Sequence, residues 1–224
     1  MTRPAVLAFD VNETLLDLAA LDAPIERALG DASLRPEWFQ LMLQLAFVGT
    51  ITGDYVDFGS AQRAALQMIA RRRGIDLDED ATAAVAQAMR QLPAHPDVSG
   101  ALEHLAAGGL RLVAFTNSPL EVAREQLASA GIAGAFETVV SADEARQVKP
   151  GRRAYELAAE RCGVDMGELM LVAAHHWDVS GAMAAGARAA FVARPGMVPS
   201  PLDAQPELVV GDLDELAGHL LDLG

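Results

Sequence analysis

One short run of consecutive apolar residues lies near the start of the sequence, and further runs alternate with helix-like stretches from about residue 101 to the end. The runs lie in 5–9 (AVLAF), 110–117 (LRLVAFTN), 137–144 (ETVVSADE), 168–178 (ELMLVAAHHWD), 187–196 (ARAAFVARPG) and the first part of 206–221 (PELVVGDLDELAGHLL). Uninterrupted apolar runs are typical of strands buried on both faces of a parallel sheet. The pattern therefore predicts an α/β protein with a Rossmann-like parallel sheet covered by helices.

The stretch between the first strand and residue 97 has a different pattern. Apolar residues recur at helical spacing in 15–30, 36–53, 57–74 and 78–92. Four helices in a row without a strand predict a helical cap domain at 16–97, inserted into a core domain formed by 1–15 and 98–224. The alternative is that these helices simply extend the core.

Composition narrows the function classes. The formal net charge is −14, which argues against binding to the phosphate backbone of nucleic acids. A small anionic substrate would need local positive groups.

The sequence shows no signal-peptide pattern and no run approaching the ~18 apolar residues of a membrane span. We therefore expect no membrane association and a cytoplasmic location. The single cysteine, Cys162, is predicted to be a buried structural thiol.

Polar residues follow the predicted strands, at the edge where ligands bind in parallel sheets. Asp10 follows the first strand, and Thr14 lies four residues later, where its hydroxyl can hold the carboxylate. A carboxylate in this place can be a metal ligand, a base or a nucleophile. Thr116 and Asn117 end the second strand and can cap the next helix or face an anion at its N-terminus. Lys149, in a Lys-Pro-Gly turn, can support the charged form of Asp10.

The segment from His175 to Asp178 (HHWD) is the most polar of the predicted strand ends. A turn could direct His175 and Asp178 inward, where together they could orient and deprotonate a water molecule. A zinc site with two histidines and the aspartate as ligands is the competing interpretation.

Four motifs in this order resemble the haloacid dehalogenase superfamily, and more narrowly its L-2-haloacid dehalogenase (type II) branch. They are FDVNETL, FTNS, VKPGRRAY and LVAAHHWDVSGAMAAG, with the helical insert after the first. The resemblance implies a Rossmann-like core of the family's fold with a helical cap. It also implies that Asp10 attacks the substrate carbon, releases halide and forms an ester, which water then hydrolyses at the ester carbonyl.

The resemblance also assigns roles to individual positions. It implies that Thr14 orients Asp10, that Lys149 supports its charge, that Tyr155 bonds within that network, and that Asp178 holds or activates the water. Residues expected to contact the substrate are Val11, Asn12, Phe39, Gln40, Leu43, Phe58, Thr116, Asn117, Tyr155 and Trp177. No cofactor or metal is implied, and related enzymes are often homodimers.

Asn12 separates the two main functional alternatives. In phosphatases of the superfamily, the motif that corresponds to residues 10–14 is similar to D-x-D-x-T, and its second acid protonates a leaving alkoxide. Asparagine has no proton to give in this way, and a halide needs none. Glu13 has the wrong spacing to replace that acid and is expected to face away. The sequence thus favours a dehalogenase over a phosphatase, which would require Mg²⁺.

Three positions depart from the dehalogenase pattern. Phe39 stands near the place of an arginine that would bind the halide and the carboxylate, and Arg35, one helical turn earlier, is the nearest substitute. His175 stands in place of an asparagine and could act as the base for ester hydrolysis. Ala173 stands in place of a serine.

We therefore predict a hydrolase for short 2-haloalkanoic acids, whether a haloacetate such as fluoroacetate or an L-2-haloacid. A Mg²⁺-dependent phosphatase, a hydrolase of another small C–X bond such as a strained ring amine, and a binding protein without chemistry are the alternatives.

Overall fold

The protein, described by a computed structural model over residues 2–223, is built around one six-stranded parallel sheet. Met1 and Gly224, the ends of the predicted core domain, lie outside the described residues. The strands are β1 Val6–Phe9, β2 Arg111–Thr116, β3 Thr138–Ser141, β4 Leu169–Ala173, β5 Arg188–Val192 and β6 Leu208–Val210. Their order is β3-β2-β1-β4-β5-β6, which puts β1 at the centre between β2 and β4.

Nine α-helices accompany the sheet within the described residues. They are α1 Asp22–Leu29, α2 Arg35–Thr52, α3 Phe58–Arg73, α4 Glu79–Met89, α5 Val98–Ala107, α6 Leu120–Ser129, α7 Arg152–Cys162, α8 His176–Ala185 and α9 Leu213–Leu221. Side chains of β1 alternate between two apolar clusters, one on each face of the sheet. Leu7 and Phe9 pack in the cluster that includes residues of α5, α6 and α9, whereas Val6 and Ala8 pack against α7 and α8. The predicted α/β fold is confirmed.

The four helices predicted between the first two strands are present as α1 to α4. Three of them end at glycines in the left-handed region, Gly30, Gly53 and Gly74, with φ of 78°, 80° and 65°. Glycine adopts this conformation without steric cost. The buried side chains of these helices belong to the same apolar cluster as Leu7 and Phe9. The division into a cap domain and a core domain stays a prediction.

One predicted boundary differs from the structure, and one helix is present that the sequence analysis does not predict. The fourth strand ends at Ala173 rather than at residue 178, and α8 begins at His176. Trp177 and Asp178 therefore lie in the first turn of a helix, and His175 is its N-cap with an extended backbone. Helix α5 was not predicted, although its buried residues Val98, Ala101, Leu102 and Leu105 have helical spacing.

No helix within residues 2–223 is long and apolar enough to cross a membrane.

Candidate active site

The site lies at the carboxyl edge of the sheet, where β1 ends between its two neighbours. Phe9 pairs with Ala114 of β2 and with Val172 of β4. The next residue, Asp10, donates its backbone N–H to the carbonyl of Val172 at 3.0 Å. Because β1 is central, the Asp10 side chain emerges in the crevice that the ends of β2 and β4 border.

Both carboxylate oxygens of Asp10 accept hydrogen bonds. Lys149 Nζ donates to Oδ1 at 2.8 Å, and Thr14 Oγ1 donates to Oδ2 at 2.7 Å. The Thr14 hydroxyl in turn accepts from the backbone N–H of Ala174 at 2.9 Å. The predicted contact between Thr14 and Asp10 is confirmed, and it fixes the rotation of the carboxylate from a second strand end.

Lys149 is fully buried and joins the two aspartates of the site. Its ammonium donates to Asp10 at 2.8 Å, to Asp178 Oδ2 at 2.7 Å and to the carbonyl of Phe115 at 3.0 Å. Burial alone would lower the pKa of Lys149, but the charges of the two aspartates raise it above its usual value. The lysine is therefore a permanent cation in this crevice.

Asn117 holds the Lys149 segment at the second strand end. Its side-chain oxygen accepts from the backbone N–H of Lys149 at 2.8 Å, and its amide donates to the Lys149 carbonyl at 3.2 Å. Thr116 Oγ1 accepts from the N–H of Ser118 at 3.1 Å. The structure thus gives both residues intramolecular partners, and their predicted contact with the substrate stays a prediction.

Asp178 and Tyr155 lie beneath the lysine, on the α7 and α8 side of the sheet. The Tyr155 hydroxyl is 2.7 Å from Asp178 Oδ1 and 3.0 Å from the Asp178 carbonyl. Burial raises the pKa of Asp178, which the charge of Lys149 only partly offsets, and burial together with Asp178 raises the pKa of Tyr155 well above its usual value. The predicted Tyr155 contact within this network is confirmed.

Asp10 is the most strongly stabilised anion of the group. Burial alone would raise its pKa, but the charge of Lys149, and after it the hydrogen bond and charge of His175, lower it far below the usual value for aspartate. Asp10 is therefore a carboxylate at any physiological pH, which a nucleophile requires.

His175 bridges Asp10 and Glu13. Its Nδ1 is 3.1 Å from Asp10 Oδ2, and its Nε2 is 2.8 Å from Glu13 Oε2. Burial alone would lower the pKa of His175, but its hydrogen bonds to the two carboxylates raise it to about 9. The expectation that Glu13 faces away is wrong. Its backbone adopts φ 63°, and this turn directs the side chain to the imidazole.

Aromatic rings enclose His175. The Phe39 ring from α2 lies 6.0 Å from the imidazole at an interplanar angle of 27°, and the Trp177 ring lies 4.9 Å away at 26°. Phe39 therefore reaches the site, as predicted for its position. The guanidinium of Arg35 is paired with Asp22 at 2.6 Å.

The other residues of α2 and α3 that are predicted to contact the substrate differ in their exposure. Leu43 and Phe58 are buried, whereas Gln40 is exposed on α2. Phe58 also lines a cavity of about 710 Å³ between α3, α4 and the start of α6, which Ser118 borders from the core side. The substrate contacts of Gln40, Leu43 and Phe58 stay predictions.

The side chain of Asn12 is bonded to Gln126, which the sequence did not single out, and to Ser118 of the FTNS motif. Its side-chain oxygen accepts from Gln126 Nε2 at 3.0 Å, and its amide donates to Ser118 Oγ at 3.4 Å. Gln126 also donates to the carbonyl of Met89 in α4, at 2.7 Å. Val11, the residue before it, is fully buried. For Asn12 and Val11 too, substrate contact stays a prediction.

Arg194, like Gln126, is a residue near the site that no sequence pattern marks. Its guanidinium donates twice to the carbonyl of Thr14, at 3.0 and 2.9 Å, and twice to Asp97, at 2.8 and 2.9 Å. It therefore anchors the backbone of the turn that carries Asp10, Glu13 and Thr14.

The donor set around Asp10 does not suit a metal ion. Mg²⁺ prefers oxygen ligands, but nitrogen cations contact both Asp10 oxygens, Lys149 on one and His175 on the other. The three residues of the zinc interpretation are not brought together either, since Asp178 is engaged by Lys149 and Tyr155. Over residues 2–223, no group of three or more His, Cys, Asp or Glu side chains is arranged to hold a metal.

A model of the haloacid dehalogenase-like hydrolase family matches residues 4–186. The chain belongs to this family of hydrolases. Haloacetate dehalogenase H-2 of Moraxella sp. (strain B) is 30% identical over 223 residues, which is 99% of each protein. (S)-2-haloacid dehalogenase H-109 of Pseudomonas putida is 29% identical over 219 residues, or 96% of this chain and 97% of the relative.

Solved structures agree with these relatives. The L-2-haloacid dehalogenase of Xanthobacter autotrophicus, solved with chloropropionic acid covalently bound, is 27% identical, covers 100% of both chains and superposes with a TM-score of 0.91. The predicted superfamily and its L-2-haloacid dehalogenase (type II) branch are thereby confirmed.

Proposed function

We propose that this haloacid dehalogenase-like hydrolase cleaves the carbon–halogen bond of short 2-haloalkanoic acids through an ester on Asp10. The observation that carries the proposal is the state of Asp10. Its carboxylate is kept anionic by Lys149 at 2.8 Å, and Thr14 orients it at 2.7 Å. The residue two positions later, Asn12, has no acidic proton and is turned to Gln126.

The reaction has two steps. First, an Asp10 oxygen attacks carbon 2 of the substrate, the carbon–halogen bond breaks, and the halide leaves with the bonding electron pair. Water then attacks Cγ of the Asp10 ester, the bond from Cγ to the Asp10 oxygen joined to carbon 2 breaks, and a 2-hydroxyacid that carries this oxygen is released. One proton is released for each halide, and Asp10 returns to its carboxylate form. A halide needs no proton to leave, which is consistent with Asn12 in place of a second acid.

The groups around Asp10 and the named relatives together support a haloacid substrate. Lys149 and His175 both contact the Asp10 carboxylate, so two cations stabilise the attacking anion. Phe39 and Trp177 add apolar surface beside His175, which suits the short carbon chain of a haloacid. The relatives named for haloacetate and for (S)-2-haloacid support this substrate class.

Halide release is the direct test. We expect chloride or fluoride from chloroacetate, fluoroacetate or L-2-chloropropionate, at rates that EDTA does not change, and no phosphate from p-nitrophenyl phosphate. Phosphate release that depends on Mg²⁺, without halide release, would show that the protein is a phosphatase instead.

Isotope labelling tests the ester. In a single turnover in H₂¹⁸O, we expect ¹⁸O to enter Asp10 first and the product only in later turnovers, because water attacks Cγ rather than the substrate carbon. Label in the product of the first turnover would contradict the ester. The Asp10→Asn variant serves as the control and should release no halide.

A further inference from the structure

We propose that Asp10, His175 and Glu13 form a catalytic triad in which Glu13 positions His175 as the acid–base group that hydrolyses the Asp10 ester. This inference rests on the proposed function, because it concerns the second step of that reaction. It assigns a role to Glu13 that the resemblance does not imply, and it gives the proton transfers to His175 rather than to Asp178.

Glu13 decides which nitrogen of His175 acts. Nε2 is 2.8 Å from the Glu13 carboxylate, which can only accept a hydrogen bond when ionised. A neutral imidazole therefore keeps its proton on Nε2, and the lone pair of Nδ1 points toward Asp10, 3.1 Å away. Nδ1 of His175 thus has a free lone pair beside the ester, and the Glu13 carboxylate fixes the imidazole through Nε2. General base catalysis requires this arrangement.

The backbone of Glu13 provides a second, independent observation. A non-glycine residue at φ 63° is uncommon, and such strain persists where surrounding contacts impose it, often at functional sites. Two contacts hold this turn. Glu13 donates its N–H to the carbonyl of Leu16 at 2.9 Å, and its own carbonyl lies 3.2 Å from His95 Nε2. The fold thus accepts an unfavourable conformation that directs the carboxylate to His175.

The rings around His175 restrict its movement. Phe39 and Trp177 stack on the imidazole at interplanar angles of 27° and 26°. Stacking fixes the plane of the ring, while the two carboxylates fix its rotation in that plane. The side chain is 6% exposed, so it is sheltered from bulk water yet lies next to the reacting carboxylate.

Asp178 is less suited to take a proton from water. Its side chain is fully buried, and both of its oxygens are occupied, by Lys149 at 2.7 Å and by Tyr155 at 2.7 Å. These contacts make Asp178 the group that holds Lys149 in place. Besides Lys149, His175 is the titratable group in direct contact with Asp10 in the described part of the chain.

The chemistry balances with His175 as a proton carrier. Formation of the ester removes the Asp10 charge, which is one of the causes that raise the pKa of His175, and His175 then loses its proton to solvent. The neutral Nδ1 takes a proton from water as the water oxygen bonds to Cγ. His175 gives this proton to the ester oxygen joined to carbon 2 as the bond of that oxygen to Cγ breaks. The new Asp10 carboxylic acid returns a proton to His175, and the resting ion pair is restored.

The test separates the two steps with rapid-quench kinetics. Glu13→Gln keeps the size of the side chain but removes its charge, and Glu13→Gly removes the side chain at a φ that glycine prefers, so this second variant is expected to fold. We expect both to release one halide per enzyme in a burst at nearly the wild-type rate. Release of the hydroxyacid should then be slower by about 10²-fold, and mass spectrometry should detect the covalent adduct on Asp10.

The pH profile of ester hydrolysis is the second measurement. The charged groups at His175 are Asp10 and Glu13, with Lys149 behind Asp10, whereas α2 and α8 contribute the uncharged rings of Phe39 and Trp177. In Glu13→Gln the negative charge that favours the imidazolium is lost, so the limb of the profile that reports His175 should move to lower pH. Glu207→Gln, which removes a carboxylate paired with Arg188, should match wild type in both measurements.

Three outcomes would overturn the inference. If the Glu13 variants slow the halide burst and the hydroxyacid release equally, or if they accumulate no adduct, Glu13 has only a structural role. An unchanged pH limb in Glu13→Gln would likewise show that the carboxylate does not act through His175. If wild-type protein releases no halide at all, the proposed function itself fails, and the result is recognisable because it does not depend on Glu13.

Discussion

The side chain of Lys149 illustrates how much of the site depends on one residue. Its ammonium lies between two buried carboxylates, at 2.8 Å from Asp10 and 2.7 Å from Asp178. Removal of one member of a buried ionic group leaves a charge without a partner in a region of low dielectric. The resulting loss of stability is larger than the net stabilisation that the intact group provides.

We therefore expect Lys149→Met to lower the free energy of unfolding by about 3–5 kcal/mol, as well as to abolish turnover. Urea denaturation monitored by circular dichroism measures the change. The double variant Lys149→Met/Asp178→Asn should recover part of the loss, because it removes the carboxylate that Lys149→Met leaves without a cation, whereas Asp10 keeps His175. Equal stability of wild type and Lys149→Met would contradict the buried ion pairs.

His175 makes stability depend on pH in a defined window. Its folded pKa of about 9 lies above the reference value of 6.5, so the folded state binds this proton more tightly than the unfolded state. The resulting stabilisation is complete below pH 6.5 and is lost as pH rises toward 9 and beyond.

We expect the free energy of unfolding to fall by up to about 3 kcal/mol across that window. His175→Asn should remove this slope, whereas His104→Asn, at an exposed histidine of α5, should keep it. Chemical denaturation at several pH values measures both. A wild-type slope that persists in His175→Asn would mean that another group is responsible.

Residues within the motifs were predictable, and their remote partners were not. Asp10, Thr14 and Lys149 lie at strand ends or in a turn with strong sequence signals, and the structure brings them together. The orientation of Glu13 is not predictable in this way, because it depends on a left-handed backbone that sequence spacing does not reveal. Gln126 and Arg194 contact the site from positions more than 100 residues away from Asn12 and Thr14 in sequence, where no local pattern marks them.

At the scale of elements, the approach of α8 to the Lys149 turn sets the position of Asp178. A Cβ atom at Gly181 of α8 would lie 2.5 Å from the Tyr155 hydroxyl and from Pro150 Cβ, and 2.9 Å from Pro150 Cα. Because the backbone of Pro150 cannot yield easily, α8 would have to shift.

Gly181→Ala is therefore expected to lower kcat by about 10-fold or more, since small displacements of catalytic groups are costly, and also to lower the melting temperature. The matched control is Gly100→Ala in α5, where nothing lies within 4 Å of the added Cβ. It should raise stability by about 0.5–1 kcal/mol with unchanged activity. A Gly181→Ala variant as active as wild type would show that α8 has freedom to move.

Element boundaries show what hydrophobic patterning can and cannot resolve. The strands and most helices were predictable because apolar runs and helical periodicity differ clearly. The end of the fourth strand was not, because Asp178 is a buried charge on the inner face of α8 and interrupts the apolar periodicity of that helix. Such exceptions are expected at functional sites, where polar residues are buried for chemistry.

Across the molecule as a whole, contacts join α2 and the segment that follows it to the turn that carries the lysine. Thr50 of α2 accepts a hydrogen bond from the backbone N–H of Val148, at 3.2 Å. The Tyr55 hydroxyl, between α2 and α3, bonds to Asp143 near the same turn, and Arg146 stacks on the Tyr55 ring at 4.2 Å. The position of α2 is thus linked to the segment just before Lys149. The implied homodimer stays a prediction that light scattering would test.

Lys149 is also the only lysine in the sequence, and its side chain is fully buried. Acetic anhydride should therefore find no accessible ε-amine on the native protein, whereas denatured protein should be acetylated at Lys149 quickly. The ratio of the two rates, measured by peptide mass spectrometry, gives the free energy of the opening that exposes this single amine. Equal rates in native and denatured protein would contradict the burial of Lys149. The residue that completes the active site is thus a built-in chemical reporter of its opening.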